Sequence, residues 1–160
     1  GAGGYRIYRK VKGQNWKCIK EVKSTVLSYK DSSVQGITTY AYAVRAYRTV
    51  GGKKILGGYK ASSYIQSYPL KQKISKICKT SSGLKIYWST QKKASGYQIY
   101  RKTKNSSWKK IKTISNGKTA SFEDRTAKKG TPYYYAVRAG AKTSTGKTVY
   151  GSYTAKTAKR

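Results

Sequence analysis

The sequence predicts an all-β protein made of two β-sandwiches in tandem, and three observations lead there. First, GYRIYRK (4–10) returns as GYQIYRK (96–102), so the chain is a duplicated unit. Second, the repeated runs alternate: Tyr97 and Ile99 against Gln98 and Tyr100, the period of a half-buried strand. Third, clusters of Gly, Ser, Asn and Lys such as TKNSS (103–107), SNGK (115–118) and TSTGK (143–147) break the chain into short runs with no helical pattern between them, the layout of a sandwich.

The repeat sets the elements in order. At an offset of 92, Trp16 meets Trp108 and Ile19 meets Ile111. At 93, SYKD (28–31) meets SFED (121–124), and YAVRA (42–46) meets YAVRA (135–139). At 94, GGYKA (57–61) meets GSYTA (151–155). An offset that slips one residue at a time marks small loop insertions between otherwise equivalent strands. The expected domains are 1–68 and 69–160, joined through IQSYPLKQK (65–73), where Pro69 cannot donate to a ladder.

Composition limits what such a chain can do. Thirty-six Lys and Arg stand against four acids, Glu21, Asp31, Glu123 and Asp124, for a formal net charge of +32. Solubility alone is served by an excess of roughly 2–8 in a small domain, so this charge points to a polyanionic partner. Seventeen Tyr and three Trp supply enough large apolar area to sustain a folded core. With no His and no phosphate-binding Gly loop, the chain lacks the usual parts of an active site, and no enzyme, cofactor or catalytic residue is expected. Asp31 and Asp124 occupy matching repeat positions, which points to a shared structural role. Cys18 and Cys78 occupy non-matching ones; they are expected as two buried thiols, and two cysteines without His make no zinc site. No run approaches the roughly 20 apolar residues of a membrane span, no segment of 1–20 reads as a signal peptide, and no motif reads nucleic-acid sequence.

At this point the residues resemble a known family. LKIYWS (84–89) resembles strand B of a fibronectin type III domain with its core Trp88, GYQIYRK resembles strand C, and KKGTPYYYAVRA (128–139) resembles the E–F corner and strand F. The wording GYxIYRK and GKxxxGSY is similar to the divergent type III repeats of Gram-positive surface proteins. The resemblance implies tandem immunoglobulin-like sandwiches, a corner tyrosine at Tyr133 or its neighbour, and a secreted or cell-surface location in the Gram-positive wall. It implies core positions at Trp88, Tyr97, Ile99, Ile111, Tyr133, Tyr135 and Val137, and at Tyr5, Ile7, Ile19, Tyr40, Tyr42 and Val44 in the first unit. Trp16 and Trp108 are expected to cap the apolar edge near the C–C′ turn. Because GYRIYRK has only three residues ahead of it, the first unit is expected to lack its A and B strands. Either the chain was cut from a longer one, or another chain supplies them by β-augmentation.

Alternation then names the outward residues: Arg6, Tyr8, Lys10, Arg45 and Tyr47 in the first unit, and Tyr100, Lys102, Tyr134 and Arg138 in the second. A mixed Tyr and cation face suits an anionic polymer such as teichoic acid or an acidic glycan. The expected function is a non-catalytic adhesive or structural module of a bacterial surface protein. Two alternatives stand beside it: an extracellular fibre subunit that self-associates through its incomplete first repeat, and a polysaccharide-binding module of a secreted hydrolase. The F–G loops contain no Arg-Gly-Asp.

Overall fold

A computed structural model describes all of residues 1–160 and contains strands but no helix. The chain forms two compact units, Gly1–Ser67 and Tyr68–Arg160.

The second unit is a two-sheet sandwich. One sheet has the order β10-β7-β6-β13, from β6 (Gln72–Lys79), β7 (Leu84–Trp88), β10 (Ser121–Asp124) and β13 (Tyr153–Thr154). The other has the order β12-β11-β8-β9, from β8 (Gly96–Lys102), β9 (Lys109–Ile114), β11 (Pro132–Lys142) and β12 (Thr148–Tyr150), with β14 (Lys156–Lys159) also on β11. Alternation sends Tyr97, Ile99, Tyr135 and Val137 inward, where they meet Leu84, Ile86 and Trp88 of the facing sheet. This is the type III strand arrangement, with β6, β7 and β10 as A, B and E, and β8, β9 and β11 as C, C′ and F.

The first unit repeats only one of those sheets. Its order is β2-β1-β3-β4, from β1 (Gly4–Val11), β2 (Lys17–Lys23), β3 (Thr39–Val50) and β4 (Lys53–Leu56), with β5 (Ile65–Gln66) also on β3. Strand register repeats in detail: Ile7 faces Val44 as Ile99 faces Val137, and Arg6 faces Arg45 as Gln98 faces Arg138. Each C–C′ pair even carries a bulge at the same step, Ile7/Tyr8 and Ile99/Tyr100. The leading Gly of both motifs is also explained: a side chain at Gly4 or Gly96 would run into the backbone carbonyl of Val22 or Ile114 on the neighbouring strand.

Four strands of the second unit have no counterpart in the first: β6 and β7, the expected A and B, and also β10 and β13. SYKD (28–31) aligns with β10 but forms no strand. In the second unit β10 is held by β7, and the first unit has no such neighbour. Three core assignments change for the same reason. Val44 is 52% exposed while Val137 is fully buried, and Tyr5 and Tyr42 are only half-buried while Tyr97 and Tyr135 are buried. The cysteines are also corrected: Cys18 is exposed on edge strand β2, opposite outward-facing Tyr8, and Cys78 is half-buried opposite Lys85; both are free thiols.

Candidate functional site

Each unit ties down its E–F corner with one repeated network. In the second, the Asp124 carboxylate accepts from Arg101 Nη1 (2.6 Å), Tyr135 Oη (2.7 Å), Thr126 Oγ1 (2.7 Å) and the Thr126 N–H (3.0 Å). In the first, Asp31 accepts from Arg9 Nη1 (2.7 Å), Tyr42 Oη (2.9 Å), Ser33 Oγ (2.7 Å) and the Ser33 N–H (2.9 Å). The guanidiniums of Arg101 and Arg9 also lie over the rings of Tyr133 and Tyr40, at 4.6 and 4.9 Å. Tyr133 Oη accepts the Lys128 N–H at 3.2 Å, and Tyr40 Oη accepts the Gln35 N–H at 2.9 Å, so both are corner tyrosines. Matching aspartates thus share a structural role, as their positions imply. Sequence reasoning missed Arg9 and Arg101 as their partners, although both stand in the repeated YRK.

Acid unfolding should report these aspartates. Burial raises the Asp31 pKa, but the Ser33 hydroxyl and N–H, Arg9 and Tyr42 outweigh it and hold the carboxyl at about 2 against an ordinary 3.8. Burial likewise opposes the charge on Asp124, and Tyr135, Thr126 and Arg101 still hold it below the ordinary aspartate value. A group depressed by folding stabilises above its unfolded pKa and loses that contribution as pH falls through the folded one. The thermal midpoint, followed by circular dichroism, is therefore expected to stay nearly flat from neutral pH to about 5, and to fall between about 4 and 2.

The other two acids are also engaged. Glu21 bonds Lys54 and Arg6 (2.8 Å to Arg6), which pull its pKa to about 2. Glu123 accepts from Thr80 (2.5 Å), Ser82 (2.9 Å) and Arg125 (3.1 Å), which also bring it to about 2. All four carboxylates are thus committed to partners within their own unit.

Opposite the core, the outward face of the C–F sheet collects aromatic rings and cations twice. In the first unit Tyr8, Trp16, Ala43, Arg45 and Tyr59 line a shallow slot. Trp16 and Tyr59 meet edge to face at 6.0 Å, Lys10 Nζ lies 5.0 Å from the Trp16 ring and 5.5 Å from Tyr64, and Arg45 lies 5.6 Å from Tyr59. In the second unit Trp108 and Tyr153 meet at 5.6 Å, and Lys102 Nζ lies 5.7 Å from Trp108 and 5.4 Å from Tyr134. Trp16 and Trp108 therefore lie on the outward face rather than capping the core edge. Tyr59 and Tyr153 escaped the sequence reading as face residues, although GGYKA and GSYTA carry the repeated Tyr.

Not every outward cation is equally available. Arg45 Nε donates to the Gly57 carbonyl and Arg138 Nε to that of Gly151, both at 2.8 Å, which pins the chain after each F–G turn across the sheet. Arg6 is paired with Glu21. Tyr47 carries Lys54 over its ring at 4.7 Å, and Tyr100 Oη donates to Gln98 Oε1 at 2.8 Å. Lys10 and Lys102 make no ion pair and rest only on rings.

No family model matches this chain, and no curated protein does. Among solved structures it is similar to the FN1–FN3 domains of chicken CNTN1, with 18% identity, a TM-score of 0.41, and 95% of this chain covered. That match spans 57% of the CNTN1 chain. It is also similar to a two fibronectin type III domain segment from chicken tenascin, at 12% identity and a TM-score of 0.48, covering 100% of this chain and 86% of that one. No helix is long and apolar enough to cross a membrane.

Proposed function

We propose that residues 1–160 are a non-catalytic, extracellular structural and adhesive module of a Gram-positive surface protein, whose outward sheet faces hold anionic polymers of the cell wall or its surroundings. One observation carries the reading. With all four carboxylates engaged inside their units, the outward faces present Lys10 and Lys102 on aromatic rings without an acid to answer them. A phosphodiester or acidic glycan supplies the missing negative charge, and Tyr8, Tyr100 and Tyr134 supply flat contact surface beside it. Arg45 and Arg138 position the neighbouring backbone through their Nε donors. The bacterial setting and the wall polymers rest on the resemblance of GYxIYRK and GKxxxGSY to the type III repeats of Gram-positive surface proteins.

The test is a titration of the chain with a teichoic-acid-type polyphosphate and, separately, with a neutral glucan, across a salt series. Tight, salt-sensitive binding to the first supports the proposal. Salt-insensitive binding to the second would replace it with the sugar platform of a hydrolase accessory module.

A further inference from the structure

Building on the polyanion reading of the outward faces, on which this rests, we infer that Arg6 and Lys54 form a further anion seat on the first face, which the chain's own Glu21 occupies. Glu21 thereby withholds two cations from the polymer and leaves the first face to bind through Lys10 and its rings, as the second binds through Lys102.

The positions that build this clamp differ together between two units that otherwise match. Arg6 pairs with Glu21 across β1 and β2, whereas Gln98 pairs with Thr113 across β8 and β9. Gly4 pairs with Tyr47 across β1 and β3, whereas Gly96 pairs with Gly140. On the next strand Lys54 stands where β12 has Thr148. The rest of the face is kept: Tyr8, Lys10 and Arg45 return as Tyr100, Lys102 and Arg138. The first unit has thus gained two cations on this face together with the one acid that answers both.

The clamp crosses the whole sheet. One carboxylate oxygen of Glu21 on β2 accepts from Arg6 Nε at 2.8 Å, and the other from Lys54 of β4. Lys54 reaches it over the Tyr47 ring, 4.7 Å from the centroid. That ring lies across Gly4, where a side chain would meet Tyr47 Oη at 2.6 Å. Arg6 stands directly opposite Arg45, which lines the aromatic slot with Tyr8, so the clamp borders that slot. In the second unit the same place is neutral: Gln98 Oε1 accepts from Tyr100 Oη, and the unit's two acids belong to the other sheet. The side chains of Arg6, Glu21 and Lys54 are 31%, 32% and 39% exposed, and ion pairs in that position add little to stability. Their larger effect is on an approaching anion, since the carboxylate occupies its donors and repels its charge.

The test titrates the isotopically labelled chain of 160 residues with a short polyol phosphate of the teichoic-acid type over a salt series, reading each face from its own amides. Glu21→Gln should tighten the first face at least about tenfold at low salt and leave the second unchanged. It should also steepen the first face's slope of log affinity against log salt by about 1.4, from two further charges at about 0.7 each on a flexible strand. Lys54→Ala added to Glu21→Gln should take back about half of that steepening. Glu123→Gln, which adds the same charge on the other sheet of the second unit, should change either affinity by less than about twofold. In the unaltered chain Lys54→Ala should leave the slope as it is, whereas Lys10→Ala should lower it by about 0.7; this pair of variants decides the matter even if Glu21→Gln unfolds the first unit. The clamp is overturned if Glu21→Gln stays folded and leaves the first face's affinity and slope unchanged. It is equally overturned if Lys54→Ala lowers the slope of the unaltered chain as Lys10→Ala does, because Lys54 was then never withheld. In both cases the polyanion reading survives; a chain that binds no polyphosphate in any form overturns that reading and the clamp with it.

Discussion

Asp124→Ala is expected to destabilise the second unit by about 3–5 kcal/mol, the usual cost of stripping one partner from a buried ion pair. Asp124 is 2% exposed and accepts four hydrogen bonds. Without it, the guanidinium of Arg101 stays wedged against the Tyr133 ring with no counter-charge, and the hydroxyl of fully buried Tyr135 loses its acceptor. For a unit of this size the loss should lower the midpoint of thermal unfolding by more than about 10 °C. Calorimetry checks it directly. Asp31→Ala should cost less, because that corner braces a unit whose inner face is already half open. A loss below about 1 kcal/mol at Asp124 would mean that the network is a surface ornament to the fold rather than its brace.

Binding to a polyphosphate is expected to collapse with salt. If the two outward faces engage about six phosphates between them, affinity should fall about a thousandfold between roughly 50 and 200 mM salt, because each neutralised phosphate releases condensed counterions. A stacked neutral sugar has no counterions to release, so its affinity should change by less than about twofold over the same range. The slope of log affinity against log salt, taken by calorimetric titration, therefore counts the charges engaged. It also separates a polyanion site from a sugar platform without any mutation. A slope near zero with tight binding would remove the Lys and Arg from the account.

Much of the fold was legible because two signals agreed. The repeat named equivalent positions, and the period of two named faces, so Tyr97, Ile99, Tyr135 and Val137 could be assigned to the core and Tyr100, Lys102 and Arg138 to the outside. Tyr133, or its neighbour, followed from the resemblance of KKGTPYYYAVRA to the E–F corner of a type III domain. What was missed has one cause: alternation reports which way a side chain points, and nothing about whether anything waits there. Val44 points as Val137 does, yet only Val137 meets a second sheet. SYKD carries the pattern of SFED, yet a strand at that edge depends on a partner about 40 residues away in the second unit and absent from the first. Trp16 and Trp108 precede their strands in irregular backbone, where no period applies, so their outward placement beside Tyr59 and Tyr153 could not be read from spacing.

The candidate face was legible in direction and less so in role. Sequence treated Arg6, Arg45 and Arg138 as equal to Lys10 and Lys102. Hydrogen bonding separates them: Arg6 answers Glu21, and Arg45 and Arg138 hold backbone carbonyls. Guanidinium geometry suits that use, since one edge can bind a carbonyl while the plane lies along a tyrosine ring. The lysines, as mobile point charges on aromatic rings, are left as the groups best able to follow a flexible polymer.

The most direct measurement is an amide-resolved titration of the labelled chain with a short polyphosphate of the teichoic-acid type at about 0.15 M salt, where charges more than about 8 Å apart are screened. The account predicts saturable shifts concentrated on Tyr8 and Lys10 in the first unit and on Tyr100, Lys102 and Tyr134 in the second, with the residues of each face rising together. Shifts spread evenly over every lysine-bearing loop, or gathered on β6 and β7 instead, would contradict it, and the charge of the chain would then act without a site.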